Sequence, residues 1–84
     1  MEHMEVQFDF VEKNGGACVT KILSPGAACV IPETLSGLPV TELGDKALAQ
    51  TGVEEVFLPR TLRRLGRYCF YGCERLSHIH FYGG

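Results

Sequence analysis

The chain has 84 residues, 45% of them hydrophobic, with a formal net charge of −2 and four cysteines. That length holds one small domain, which buries a smaller share of its surface than a longer chain would. No apolar run approaches the roughly 20 residues of a membrane-spanning helix, and the acidic balance argues against nucleic acid as a partner.

The net charge hides an asymmetry. Residues 1–59 carry three lysines against nine acids, or −6, and residues 60–84 carry five arginines against Glu74, or +4. Such polarity can orient association, although on a small domain it also describes an ordinary solvated surface. Met1-Glu2-His3-Met4-Glu5 has neither a basic nor an apolar segment of the kind that directs export, so the chain as written is expected to be cytoplasmic. His3-Met4 resembles a cloning junction, and residues 1–4 are read as an added or unstructured start. Residues 5–84 are read as one domain, with a hairpin cap over 5–29 and repeats over 30–84. If that domain is excised from a longer protein, an extracellular or cell-surface location is expected instead.

Val6, Phe8 and Phe10 alternate with Gln7 and Asp9, the period of a strand with one apolar face. Asn14-Gly15-Gly16 tolerates the positive φ of a tight turn, and Ala17 to Leu23 returns as a second strand. Ser24-Pro25-Gly26 breaks this hairpin. A further strand then begins at Cys29-Val30-Ile31 and stops at Pro32, which lacks an N–H. Leu35 to Val40 is expected to be an irregular link.

From Leu43 onward one phrase occurs twice. Leu43-Gly44-Asp45-Lys46-Ala47-Leu48, a turn, and Val53 to Leu58 are answered by Leu65-Gly66-Arg67-Tyr68-Cys69-Phe70, a longer turn, and Leu76 to Phe81. The Leu-Gly pairs lie 22 apart and the following Val/Leu positions 23 apart, so the second turn carries one extra residue. Asp45 to Ala49 and Arg67 to Tyr71 read as single helical turns, too short to be stable alone. Val30-Ile31-Pro32, Phe57-Leu58-Pro59 and His80-Phe81 fall in register as three parallel strand positions. Leu43, Leu48, Val53, Val56 and Leu58 then stack on Leu65, Phe70, Leu76, Ile79 and Phe81, because one repeat buries too little to fold by itself. Nothing in the sequence covers the far side of the last strand. Self-association as a homo-oligomer through that C-terminal strand is expected.

Ile31-Pro32, the segment Gly37 to Gly44, Ala47-Leu48 and the run Arg67-Tyr68-Cys69-Phe70-Tyr71-Gly72-Cys73-Glu74-Arg75-Leu76 together resemble the BspA-type leucine-rich repeats of bacteria. The similarity covers about Val30 to Phe81. Leu48 stands where such repeats usually have Phe, Cys69 where they usually have Ala, and Gln50-Thr51-Gly52 is a shortened turn. The resemblance implies a leucine-rich-repeat-like solenoid: an N-terminal β-hairpin cap, then about two repeats of short parallel β-strands linked by short helical turns. It also implies a bacterial protein whose larger relatives act at the cell surface in adhesion.

Cys18, Cys29, Cys69 and Cys73 could form two disulfides or a zinc site, but no Cys-x-x-Cys pair is present and small core residues fit the repeat register better. His78 and His80 lie two apart on a strand and share a face, with Glu55 and Phe57 on the neighbouring strand. Glu55, His78 and His80 have the donor types of an open metal site. Phe57, His78, His80 and Tyr82, with Glu55, instead make a partly aromatic strip of the kind that binds protein partners. Arg60, Arg63, Arg64 and Arg67 surround Leu62 and Leu65 and could hold an anion or an acidic partner. No nucleophile with its base, carboxylate pair or cofactor motif is present, so the expectation is a non-catalytic protein-interaction module without a cofactor. The metal-binding reading and a structural cap of a longer array are the alternatives.

Overall fold

The structure is a computed structural model and describes residues 6–83. The read start over residues 1–4, Glu5 and Gly84 lie outside the described residues. Strand β1 (Gln7–Lys13) pairs antiparallel with β2 (Gly16–Leu23). The two are joined by Asn14 and Gly15, both at positive φ (55° and 80°), the mirror-image turn that matches strand twist. Gly16 belongs to β2 rather than to the turn. The remaining strands are β3 (Ala28–Val30), β4 (Thr34–Leu35), β5 (Leu38–Leu43), β6 (Glu55–Pro59), β7 (Arg64–Leu65) and β8 (His78–Tyr82).

These strands wind into three coils. On one side β2, β5 and β7 are parallel neighbours, placing Val19 beside Leu43 and Leu43 beside Leu65. On the other, β3, β6 and β8 are parallel, with Val30, Phe57 and His80 in one row and Cys29, Val56 and Ile79 in the next. The three strand positions read from the sequence are therefore present in the expected register. The extra residue lies between Cys73 and Ser77, because the spacing is 22 at Leu43/Leu65 and 23 at Glu55/His78.

Two expectations need correction. Leu35 to Val40 is no irregular link: Ser36 and Gly37, at φ 50° and 80°, close a second tight hairpin between β4 and β5. Nor do Asp45–Ala49 and Arg67–Tyr71 form helical turns; no helix occurs among the described residues. Lys46, Gln50 and Tyr68 have φ of 61°, 59° and 57°, which a right-handed helix cannot contain. Their backbone groups bond sideways instead. Lys46 N–H donates to Arg67 O (2.9 Å), Leu48 N–H to Cys69 O (3.0 Å) and Gln50 N–H to Tyr71 O (2.6 Å), so alternate residues of one turn are tied to the next coil.

Within the coils Val19, Ile31, Val40, Leu43, Leu48, Val53, Val56 and Leu58 are fully buried. Ile22, Leu48 and Phe70 fill one layer, with Ile22 N–H donating to Ala47 O across the first interface (3.1 Å). Cys69 is buried at the register position of Ala47, and Leu48, at the position of Phe70, is fully buried. The burial gradient along the stack is steep. Leu65, Ile79 and Phe81 occupy inward register positions against Leu43, Val56 and Leu58 yet are 50%, 46% and 57% exposed, since among the described residues no further coil covers their other side.

Gly66 marks a close approach of one coil's backbone to the next. A Cβ there would stand 2.5 Å from Asp45 N, below any real contact, while Gly66 N–H donates to Leu43 O (2.7 Å). The obstructing atoms are largely backbone and cannot swing aside. Gly66→Ala is expected to destabilise the fold by about 1–3 kcal/mol through this overpacking, read as a lower urea midpoint with an unchanged slope.

Candidate functional site

The outward face of β3-β6-β8 gathers the strip expected from strand parity. Glu55 lies opposite His78 and Phe57 opposite His80. His80 stacks on Phe57 with ring centroids 4.6 Å apart and planes at 15°, and on His78 at 5.8 Å and 7°. The three rings therefore form one continuous pile. His80 Nε2 meets Glu55 Oε1 at 3.1 Å, and His78 Nδ1 meets Ser77 Oγ at 2.9 Å. Val30, in the same row as Phe57 and His80, is 52% exposed and extends the strip with an apolar end that the sequence reading omitted. Its register with Phe57 was the signal that could have found it.

Tyr82 behaves differently from its neighbours. Its hydroxyl donates to the carbonyl of Ile31, reaching from the third coil to the first. Burial raises its pKa above the ordinary value, and Glu33 adds to the rise. The residue thus ties the face together and offers a partner little of its polar end.

The metal reading of Glu55, His78 and His80 does not match the geometry. Among the described residues no three of the His, Cys, Asp and Glu side chains stand together as a donor set. The two imidazoles lie stacked and nearly parallel, with His80 Nε2 on Glu55 and His78 Nδ1 turned to Ser77, so the three side chains do not converge on one point.

All four cysteines are free thiols, and three are buried. Burial pushes Cys29 up to about 11, and does the same to Cys69 against the lowering effect of the Leu48 and Ala47 backbone N–H groups. Cys18 is also raised, first by burial and then by Glu42. Cys73 Sγ donates to Leu48 O (2.9 Å) and lies 3.6 Å from Thr51 Oγ1, its counterpart in the preceding turn. These are packing and turn-closing residues.

The arginine cluster divides. Arg63 and Arg64 line a shared depression of about 370 Å³ with Lys13, which arrives from the hairpin. Arg60 and Arg67 do not line it. Arg67 is held elsewhere, with its backbone N–H on Asp45 Oδ1 at 2.7 Å. Leu65, expected inward beneath these arginines, is half exposed for the reason given above. A second cleft of about 440 Å³ lies over the turns, lined by Lys46, Ala49, Gln50, Tyr68 and Tyr71, with the tyrosine rings edge to face at 5.7 Å. Nothing in the sequence had singled it out, because both tyrosines fall in a stretch read as helical.

The fold is leucine-rich-repeat-like, on the ground of two solved structures. A leucine-rich repeat protein of T. pallidum superposes with a TM-score of 0.84 at 33% identity, over 87% of this chain and 36% of its own. A leucine-rich repeat protein from Bacteroides capillosus gives 0.80 at 26% identity, over 88% of this chain and 60% of its own. The chain therefore spans about a third and three fifths of the lengths of these bacterial proteins. No family model matches the sequence, and no curated protein does.

The buried thiols set an alkaline limit on stability. Below about pH 9 Cys29 is protonated in both the folded and unfolded chain; between about 9 and 11 only the unfolded chain releases the proton, so stability falls across that window. Cys29→Ala is expected to be less stable at neutral pH through lost packing, yet to lose less of its stability from pH 9 to 11. Urea midpoints at a series of pH values check this.

Proposed function

We propose that the chain is a non-catalytic protein-interaction module of the BspA type, and that its partner docks on the outward face of β3-β6-β8. The observation that carries this reading is the ring pile of Phe57, His80 and His78 beside exposed Val30. Rigid aromatic groups already stacked lose little freedom on binding, which is why aromatic side chains dominate interface energetics. Adhesion at a bacterial cell surface is the setting this reading favours, supported by the likeness to bacterial leucine-rich repeat proteins. No helix among the described residues is long and apolar enough to cross a membrane.

The test is solid-phase binding to a panel of purified extracellular-matrix proteins. Phe57→Ala is expected to weaken binding about tenfold or more, as at interface hot spots, whereas Tyr68→Ala on the turn surface leaves it unchanged. Equal binding by both variants and the parent would overturn the reading.

The exposed Leu65, Ile79 and Phe81 favour a second reading, in which the end of the stack is covered by a further coil or by a second copy of this chain pairing with the free edge of β8. Self-association at high concentration is the expected outcome in light scattering. Phe81→Asp is expected to abolish it by placing a charge on the apolar layer, and a strict monomer for the parent chain would refute a homo-oligomer formed through this strand.

A further inference from the structure

The turn of the first hairpin and the entry to the third coil are far apart in sequence, yet they share the walls of one depression. The path can be followed through the backbone. Gly16 lies so close to β5 that a Cβ would stand 2.4 Å from Thr41 Oγ1, and only glycine lets the end of the hairpin settle there. Lys13 is the cross-strand partner of Gly16, so its ammonium comes down beside β5 and meets Glu42 Oε2 at 3.3 Å. From the other side Arg63 N–H donates to Thr41 O at 2.7 Å, and Arg64 pairs in register with Glu42. Lys13, Gly15, Thr41, Glu42, Arg63 and Arg64 thus line one depression of about 370 Å³.

Its charge is opposite to that of the whole molecule. Three cations face one carboxylate, leaving +2 on a chain of net −2. Glu42 is already engaged by Lys13, whereas neither Arg63 nor Arg64 forms an ion pair or a side-chain hydrogen bond among the described residues. Exposed guanidinium groups with unspent donors suit oxyanions, which they grip through paired N–H groups. A phosphate monoester carries about −1.5 to −2 at neutral pH, a match for the +2 here. The depression is also far larger than one oxyanion requires. It contains an acceptor, the Glu42 carboxylate, that repels phosphate but takes hydroxyl donors.

We propose that Lys13, Arg63 and Arg64 bind a phosphate monoester carried on a sugar-sized, hydroxyl-rich group, with the phosphate on the arginines and a hydroxyl on Glu42. The arginines set the charge requirement. Glu42 and the remaining volume distinguish a sugar phosphate from the free ion.

Amide chemical shifts of the 15N-labelled chain, titrated separately with glucose 6-phosphate, inorganic phosphate and glucose, test this. Glucose 6-phosphate is expected to move the amides of Gly15, Gly16, Thr41 and Arg64, inorganic phosphate to do so more weakly, and glucose to leave them in place. The double variant Arg63→Gln, Arg64→Gln is expected to weaken glucose 6-phosphate binding about tenfold or more, the cost of losing charge-assisted contacts. Arg60→Gln, outside the depression, retains it. Both sets of side chains are exposed, so thermal midpoints close to that of the parent confirm that the variants fold. Absence of shifts at these amides, equal loss in Arg60→Gln, or equal affinity for inorganic phosphate would each overturn the proposal.

Discussion

Everything in this fold depends on where the backbone groups of the turns find their partners. A buried N–H or C=O without a hydrogen bond costs more than a typical bond gains. A helix would satisfy its own, but the left-handed φ at Lys46, Gln50 and Tyr68 excludes one. The N–H groups of Lys46, Leu48 and Gln50 therefore bond to the coil beside them, while those of Ala47 and Ala49 close within the turn on Gly44 O and Lys46 O. The turn is fully bonded only when its neighbour is present. This makes the stack cooperative at the level of the backbone, before any side chain is considered. It also explains why close approach at Gly66 is obligatory: the ladder needs coils near enough for Leu43 O and Gly66 N to meet.

Side-chain packing then follows the ladder. Once Leu43 lies over Leu65 and Val56 over Ile79, the inward residues form columns, with Val19 and Cys29 as their upper members. The columns are dry in the first two coils and wet in the third, where Leu65, Ile79 and Phe81 are exposed. Outward residues are placed by the same register. The ring pile on β3-β6-β8 exists because parallel strands put Phe57 and His80 side by side, and strand parity puts His78 on the same face.

The repeated phrase made the columns and the strand face legible in advance, since both rest on spacing alone. Three features were not legible. The conformation of the turns escaped because lysine, glutamine and tyrosine give no sign of positive φ, and an Ala-Leu pair flanked by polar residues suits a helix equally well. The hairpin at Ser36-Gly37 was hidden by Pro39, which argues against a strand unless, as here, it sits at the first positions of one. The depression lined by Lys13, Arg63 and Arg64 requires the parallel pairing of β2 with β5, a contact between an irregular first coil and a regular second one. The arginines alone could be seen to cluster; that Arg63 and Arg64 separate from Arg60 and Arg67 could not.

The change of spacing from 22 to 23 has a consequence for how such a chain tolerates alteration. Thr51 and Cys73 still meet side by side, and Glu54 O already receives Ser77 N–H at 2.9 Å, so the added residue is absorbed wholly in the corner between them. No rung of either ladder is lost. That corner acts as an expansion joint: length can enter or leave there while the courses above and below stay in alignment, and duplicated coils of unequal length can still be laid on one another.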